Sequence, residues 1–210
     1  MEIFITSISA GSDREVVVTV EQRDGAKRNA ERFLLPISVY ASLSLTVGVS
    51  DTDTFELLER EAYIYGAYKH SLYLLGISSQ SKHMLYRKLV MKGFEPEISR
   101  EAVDRLERAS LLDEDAFAAR EAEKCLEKHW GEARIRSHLY DKGYREKAIA
   151  NAFFALEDSG VDFDAVCLDL LEKKAPQLPK DKKELQKLIA SMQRYGFSLS
   201  QIKRAIAMKR

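Results

Sequence analysis

The chain has 210 residues, 45% of them hydrophobic, and a chain of that length buries well over half of its unfolded surface, so neither a disulfide framework nor a metal staple is needed to hold it. Lys plus Arg and Asp plus Glu balance at 33 each, which excludes a chain that is polybasic or polyacidic as a whole. The two cysteines, Cys125 and Cys167, form no CxxC and no multi-cysteine framework, so an oxidising compartment is not implied and both are expected as reduced, buried thiols.

Charge is uneven along the chain. Residues 1–60 carry ten acidic and six basic side chains, whereas residues 180–210 carry nine basic and two acidic ones. An acidic head and a basic tail suit a partner with negative charge near the C-terminal end, or a solvated helical surface. The opening Met1-Glu2-Ile3-Phe4-Ile5-Thr6 lacks a basic region followed by a long apolar run, and no stretch of about eighteen apolar residues occurs. A cytoplasmic protein without a membrane segment is expected.

Residues 1–53 read as a β-containing head of two to four strands. Glu15-Val16-Val17-Val18-Thr19-Val20 is short and β-branched, and Arg23-Asp24-Gly25 supplies a turn signal. A second strand or a short helix is expected around Phe33–Leu45, which contains Pro36.

From about Thr54 the pattern is helical. Leu58, Ala62, Tyr65, Leu72 and Leu75 share one face of a long predicted helix over Phe55–Leu75; Ser81–Lys92 follows, stopped by Gly93, and then Ile98–Ala109 after Pro96. The same order of long helix, glycine-stopped helix and short helix is expected twice more. Three segments end in an apolar residue, three further positions, a glycine and an aromatic: Leu89…Gly93-Phe94, Leu139…Gly143-Tyr144 and Met192…Gly196-Phe197. Leu85, Ile135 and Leu188 stand eight positions before each glycine, and Val103, Phe153 and Ile206 ten after it. Three copies in register with matching flanks are an internal repeat. The expected units are 54–110, 111–160 and 161–210.

The joints are encoded locally. Asp113 and Asp162 are good N-caps, because a carboxylate accepts from the free N–H groups of a first helical turn. Leu112 with Phe117, and Val161 with Val166, have the spacing of hydrophobic staples. Gly93, Gly143 and Gly196 suit the left-handed position that closes a Schellman motif.

Chemistry finds little footing. Asp113-Glu114-Asp115 reads as capping rather than a metal or base site, and Cys125, His129 and His138 lack a fourth ligand at metal-site spacing. No phosphate-binding loop, dinucleotide fingerprint, HExxH or GxSxG occurs. No cofactor, metal or catalytic residue is nominated, and Tyr63, Tyr65, Tyr68 and Tyr73 read as packing residues before base-stacking ones. Helix, tight turn and helix also describe a helix-turn-helix. In the first unit its second helix, Ser99–Arg108, bears three acids; in the third, Ser198–Arg210 bears Gln201, Lys203, Arg204, Lys209 and Arg210 and no acid. A DNA-binding regulator using this last helix pair is the alternative reading.

Four stretches together resemble the RecX family of bacterial recombination regulators: Ser81–Gly93, Leu112–Ala118, Trp130–Gly143 and the closing Arg194-Tyr195-Gly196-Phe197…Ile202. They match that family's segments in order and spacing over about residues 56–210. Met84 departs from the family pattern, standing where a capping-box glutamate is usual, so that helix start loses a reciprocal hydrogen bond. Gln80 and Asp141 depart too, at positions where basic or neutral residues are common. The resemblance implies a mainly α fold, three tandem three-helix repeats forming an elongated curved array after a small β-containing element. It also implies a non-enzymatic modulator that binds the RecA–single-stranded-DNA filament and restrains its ATPase, strand-exchange and SOS co-protease activities; a monomer is expected, and the basic tail suggests weak, non-specific binding to single-stranded or duplex DNA. Outward cations are the candidate contacts: Arg87, Lys88, Arg134, Arg136, Lys203 and Arg204, with Lys92, Lys142, Arg145, Lys187 and Arg194 behind them.

Overall fold

The computed structural model describes residues 2–12 and 14–209; Arg210, last of the expected tail cations, lies outside the described residues. Its order is β1 (Glu2–Ala10), β2 (Glu15–Asp24), β3 (Lys27–Pro36), α1 (Ile37–Leu43), β4 (Gly48–Ser50), then nine helices: α2 (Thr52–Ile77), α3 (Lys82–Lys92), α4 (Pro96–Arg108), α5 (Glu114–Leu126), α6 (Glu132–Asp141), α7 (Glu146–Asp158), α8 (Phe163–Lys174), α9 (Lys182–Arg194) and α10 (Leu199–Met208). The fold is mainly α, three tandem three-helix repeats behind a small antiparallel sheet.

The sheet has the order β3-β2-β1-β4. Both expectations for Phe33–Leu45 hold, because β3 runs to Pro36 and α1 begins at the next residue. Gly25, at φ 58°, turns the two-residue hairpin between Asp24 and Lys27. Strand alternation places Ile3, Ile5, Val16, Val18, Val20, Phe33 and Leu35 on one face, where they form a core with Phe55 and Leu58 of α2. Phe33 and Phe55 meet edge to face at 5.9 Å.

Glu15 fastens this sheet to α2. Its buried carboxylate accepts hydrogen bonds from Lys69 Nζ at 2.7 Å, Tyr65 Oη at 2.8 Å and Ser12 Oγ at 3.1 Å. The bonds from Lys69 and Tyr65 hold its pKa below the ordinary carboxylate value, against the opposing effect of burial. Further along, Arg105 of α4 grips Glu61 of α2 through two bonds of 2.8 Å and also reaches Glu101 at 2.9 Å.

The face of α2 differs from the predicted one. Phe55, Leu58, Ile64, Ala67 and Ser71 are buried, and Leu72 is exposed. The predicted face took Leu72, but the buried position is its neighbour Ser71, which closes its polar group by donating to the Ala67 carbonyl. The uniform order of long, glycine-stopped and short helix is also corrected. Only α2, with 26 residues, is long; α5 has 13 and α8 has 12. The chain leaves α5 through His129, whose φ is 55°, and leaves α8 just before Pro176.

The repeat glycines behave as their spacing requires. Gly93, Gly143 and Gly196 have φ of 104°, 82° and 97°. After each, the aromatic N–H donates to the apolar residue four before the glycine: Phe94 to Leu89, Tyr144 to Leu139 and Phe197 to Met192. Leu85, Leu89, Ile135, Leu139 and Met192 are fully buried along these helices. The second core adds Cys125, Ile149, Ala152, Phe153 and Leu156; the third adds Cys167, Leu171, Ile202, Ala205 and Ile206. Burial pushes both thiols upward, Cys167 to about 11, so they are packing groups rather than nucleophiles.

Side-chain caps start several of the helices, though α4, α6 and α7 have none. Asp113 accepts from Ala116 N–H and Asp162 from Asp164 N–H. At α3 Ser81 Oγ accepts from Met84 N–H and itself donates to the Lys142 carbonyl. Met84 offers no reciprocal acceptor, but Glu114 serves the adjacent free donor of that first turn, its carboxylate accepting from Lys82 N–H at 2.7 Å. Two compact units result: the residues up to Ser78 with Leu85–Leu111, and Ser79–Met84 with the residues from Leu112 onward.

Two outcomes are expected. A Cβ on Gly196 would lie 2.5 Å from the Arg134 amide nitrogen, while one on Gly93 would meet nothing within 4 Å. In denaturant unfolding Gly93→Ala should cost about 1 kcal/mol for its positive φ, whereas Gly196→Ala should cost at least about 2 kcal/mol more through backbone displacement. Equal losses would refute the close approach. Glu15, with a lowered folded pKa, contributes stability that is complete above the ordinary value of 4.5 and disappears as pH falls through the folded value. Glu15→Gln should therefore lower the unfolding midpoint at pH 7 and leave it nearly unchanged below that range.

Candidate nucleic-acid interface

The tightest joint of the second compact unit brings the α5–α6 turn against the α9–α10 turn. Gly131 is buried there, and its N–H donates to the Tyr195 carbonyl at 2.7 Å while Ala133 N–H reaches the Gly196 carbonyl at 3.3 Å. A Cβ on Gly131 would sit 2.6 Å from the Gly196 carbonyl carbon, so only glycine allows this approach. His129 takes the left-handed position that glycine holds elsewhere, with its own N–H on the Leu126 carbonyl and Trp130 N–H on Cys125. That sharp exit carries Trp130 toward α6.

The result is a run of rings and cations. Arg134 lies between two aromatics, its guanidinium carbon 4.0 Å from the centre of Trp130 and 5.2 Å from that of Tyr195. Lys128 covers Trp130 at 5.3 Å and Lys174 covers Tyr195 at 4.3 Å. Arg134 Nη1 donates to the Arg194 carbonyl at 3.3 Å, and Lys173 Nζ lies 2.8 Å from His129 Nε2. Trp130 also meets His138 edge to face. None of Lys128, Arg134, Lys173, Lys174 and Arg194 has a carboxylate partner among the described residues.

The remaining sequence candidates divide by their partners. Arg87 is exposed on α3 and Lys203 on α10, both without a carboxylate partner among the described residues. Lys88 is half-buried and engaged with a neighbour. Arg136, though outward, bonds Glu132 at 2.8 Å and covers the Phe153 ring. Arg204 is held by Asp164 through two bonds of 2.7 and 2.9 Å, which lowers the Asp164 pKa and raises its own. Lys142 stands 3.7 Å from Glu121, whose carboxylate also takes His138 at 2.9 Å. Burial works against the Glu121 charge, but His138, Lys142 and Lys124 outweigh it and lower its pKa. His138 and His129 thus have separate partners rather than a common centre with Cys125. Lys92 lines a groove shared with Glu56, Glu59, Glu95 and Glu97, an unfavourable setting for a phosphate. Arg145 occupies the N-cap position of α7 without a side-chain cap bond, and Lys187 is exposed on α9. Of the α2 tyrosines read as packing residues, Tyr65 and Tyr68 stack on each other but Tyr63 and Tyr73 are exposed.

Sequence reading found Arg134 but not its neighbours Trp130, Tyr195, Lys128, Lys173 and Lys174. They lie on three segments with no shared spacing; a tryptophan before a glycine and a tyrosine before a glycine were the available signals. Among the described residues, no helix is long and apolar enough to cross a membrane.

Comparison with known proteins agrees with this architecture. The model of the third three-helix domain of RecX matches residues 162–206, and that of the first matches 67–106. The regulatory protein RecX of Pseudomonas fluorescens (strain SBW25) is 30% identical over 135 residues, 64% of this chain and 85% of that protein. That of Chlorobaculum tepidum is 31% identical over 145 residues, covering 68% and 87%. Two crystal structures share the fold at 20% identity: a regulatory protein RecX with a TM-score of 0.73, covering 96% of this chain and 99% of that one, and RecX from Lactobacillus salivarius with a TM-score of 0.60, covering 70% and 96%. With the repeat, its capped joints and these relatives in agreement, the chain belongs to the RecX family of regulatory proteins.

Proposed function

We propose that this protein is a non-enzymatic regulator that binds the RecA–single-stranded-DNA filament as a monomer and restrains its ATPase, strand-exchange and SOS co-protease activities. One observation supports it beyond family membership. Each of the three repeats keeps an exposed or half-exposed cation without a carboxylate partner among the described residues: Arg87, Arg134 and Lys203. A tandem array can then touch a long polyanionic assembly at several points, each weak alone and stronger together, because later contacts form within an already assembled complex. The helix-turn-helix alternative is less well supported, since Arg204 on its reading helix is occupied by Asp164.

The test is inhibition of RecA ATPase on single-stranded DNA, with unfolding curves run beside it. Arg87→Glu, Arg134→Glu and Lys203→Glu should each weaken inhibition by no more than about fivefold, and the triple variant should weaken it far more than any one. Lys203→Glu should leave the unfolding midpoint unchanged, whereas Arg204→Glu, which places a carboxylate against Asp164, should lower it. A wild-type chain without effect on RecA sinks the regulatory reading; a folded triple variant of full potency removes these cations from the contact surface.

A further inference from the structure

The ring-and-cation run at the α5–α6 and α9–α10 joint has a chemistry of its own. Lys128, Trp130, Arg134, Tyr195 and Lys174 alternate charge and ring. Among the described residues these cations have no carboxylate partner, whereas Arg136 on the same helix as Arg134 is paired with Glu132. Arg134 spends one of its five N–H donors on the Arg194 carbonyl. Its place between two rings, with one bond to the Arg194 carbonyl, restricts the guanidinium, and a restricted fork loses less freedom when it meets a phosphate. The joint beneath is rigid, because two glycine backbones touch and His129 is held at φ 55°, a conformation rare outside glycine.

We propose that this joint is a binding site for the phosphodiester backbone of a single DNA strand, with Arg134 as the central fork and Lys128 and Lys174 on either side. An extended row of cations fits a linear polyanion better than a compact anion. The interleaved rings favour an unpaired strand, whose bases are free to stack on aromatic faces. Lys128 and Lys174 lie over those faces on long, flexible stems, so incoming phosphates can draw them aside and uncover Trp130 and Tyr195 for bases. The site deepens the regulatory reading and rests on it for its setting in a filament, but its test needs no RecA.

Trp130 is the only tryptophan of the chain, so its emission reports this joint and no other place. The full chain is titrated at low salt with an oligothymidylate of about twenty nucleotides, following Trp130 emission and the anisotropy of a labelled strand. Both signals should saturate together. Arg134→Gln should weaken binding roughly tenfold and reduce the slope of log affinity against log salt by about 0.7. Lys174→Gln should weaken it two- to threefold, roughly the loss of one exposed contact, and Arg136→Gln, which removes a cation already paired, should leave it unchanged. A blunt duplex should bind more weakly than the single strand, and inorganic phosphate should displace the strand only at far higher concentration. Anisotropy that rises with Trp130 emission and the Arg134→Gln affinity unchanged places the strand elsewhere and overturns the proposal, as do failure to bind the strand and preference for duplex. Phosphate that competes as well as the strand, nucleotide for ion, overturns it as a strand site. If Arg134→Gln does not fold by circular dichroism, Lys174→Gln decides, since the Lys174 ammonium lies over the Tyr195 ring. Strand binding of this kind with no effect on RecA would refute the regulatory reading and leave the site intact.

Discussion

The second half of the molecule depends on backbone touching backbone. Gly131 and Gly196 approach so closely that neither tolerates a Cβ, and the N–H of Gly131 finds its acceptor on the opposite turn rather than within its own helix. An unpaired donor buried at that point would cost on the order of 1–3 kcal/mol. The contact therefore fixes two helix-to-helix corners at once. Trp130 and Tyr195 each precede one of these glycines, and Arg134 lies in the first turn of α6, so the rigidity of the corner passes to the aromatic and charged groups around it.

Charge in this protein is sorted by partner rather than by amount. The balanced totals conceal cations that are structural, such as Arg105 clamped on Glu61 and Lys69 on Glu15, and others that have only rings or solvent beside them. Exposed pairs such as Arg136 with Glu132 contribute little to stability, yet they neutralise the side chains that would otherwise attract a polyanion. Of the cations left uncompensated, Lys128, Arg134 and Lys174 share one corner, where two glycine backbones touch.

Much of the fold was legible because it is written in short-range chemistry. Aspartates before helices, glycines after them and apolar residues at eight and ten positions from each glycine specify local geometry, and the repeat showed itself three times. Two signals were weaker. Leu72 belongs to no buried face because α2 turns Ser71 inward instead, bonding it to its own helix. Helix ends at His129 and Ser110 use left-handed residues other than glycine, which a search for glycine misses. The site was legible only in part: Arg134 stood out beside an apolar stripe, but its partners come from turns and helix ends remote in sequence. Their juxtaposition is tertiary, and no spacing rule encodes it.

The start of α3 has a wider consequence. Its first N–H groups are served by Ser81 and by Glu114 of the next repeat, and Ser81 in turn holds the Lys142 carbonyl. A copy of the repeat cut out at its sequence period would keep the Ser81 cap but leave the Lys82 N–H without its acceptor and Glu114 without its donor. The unit that was duplicated is thus not the unit that is stable, and the array gains cooperativity between neighbours from a hydrogen bond that no single repeat contains. Such an array resists fraying from within and yields first at its ends.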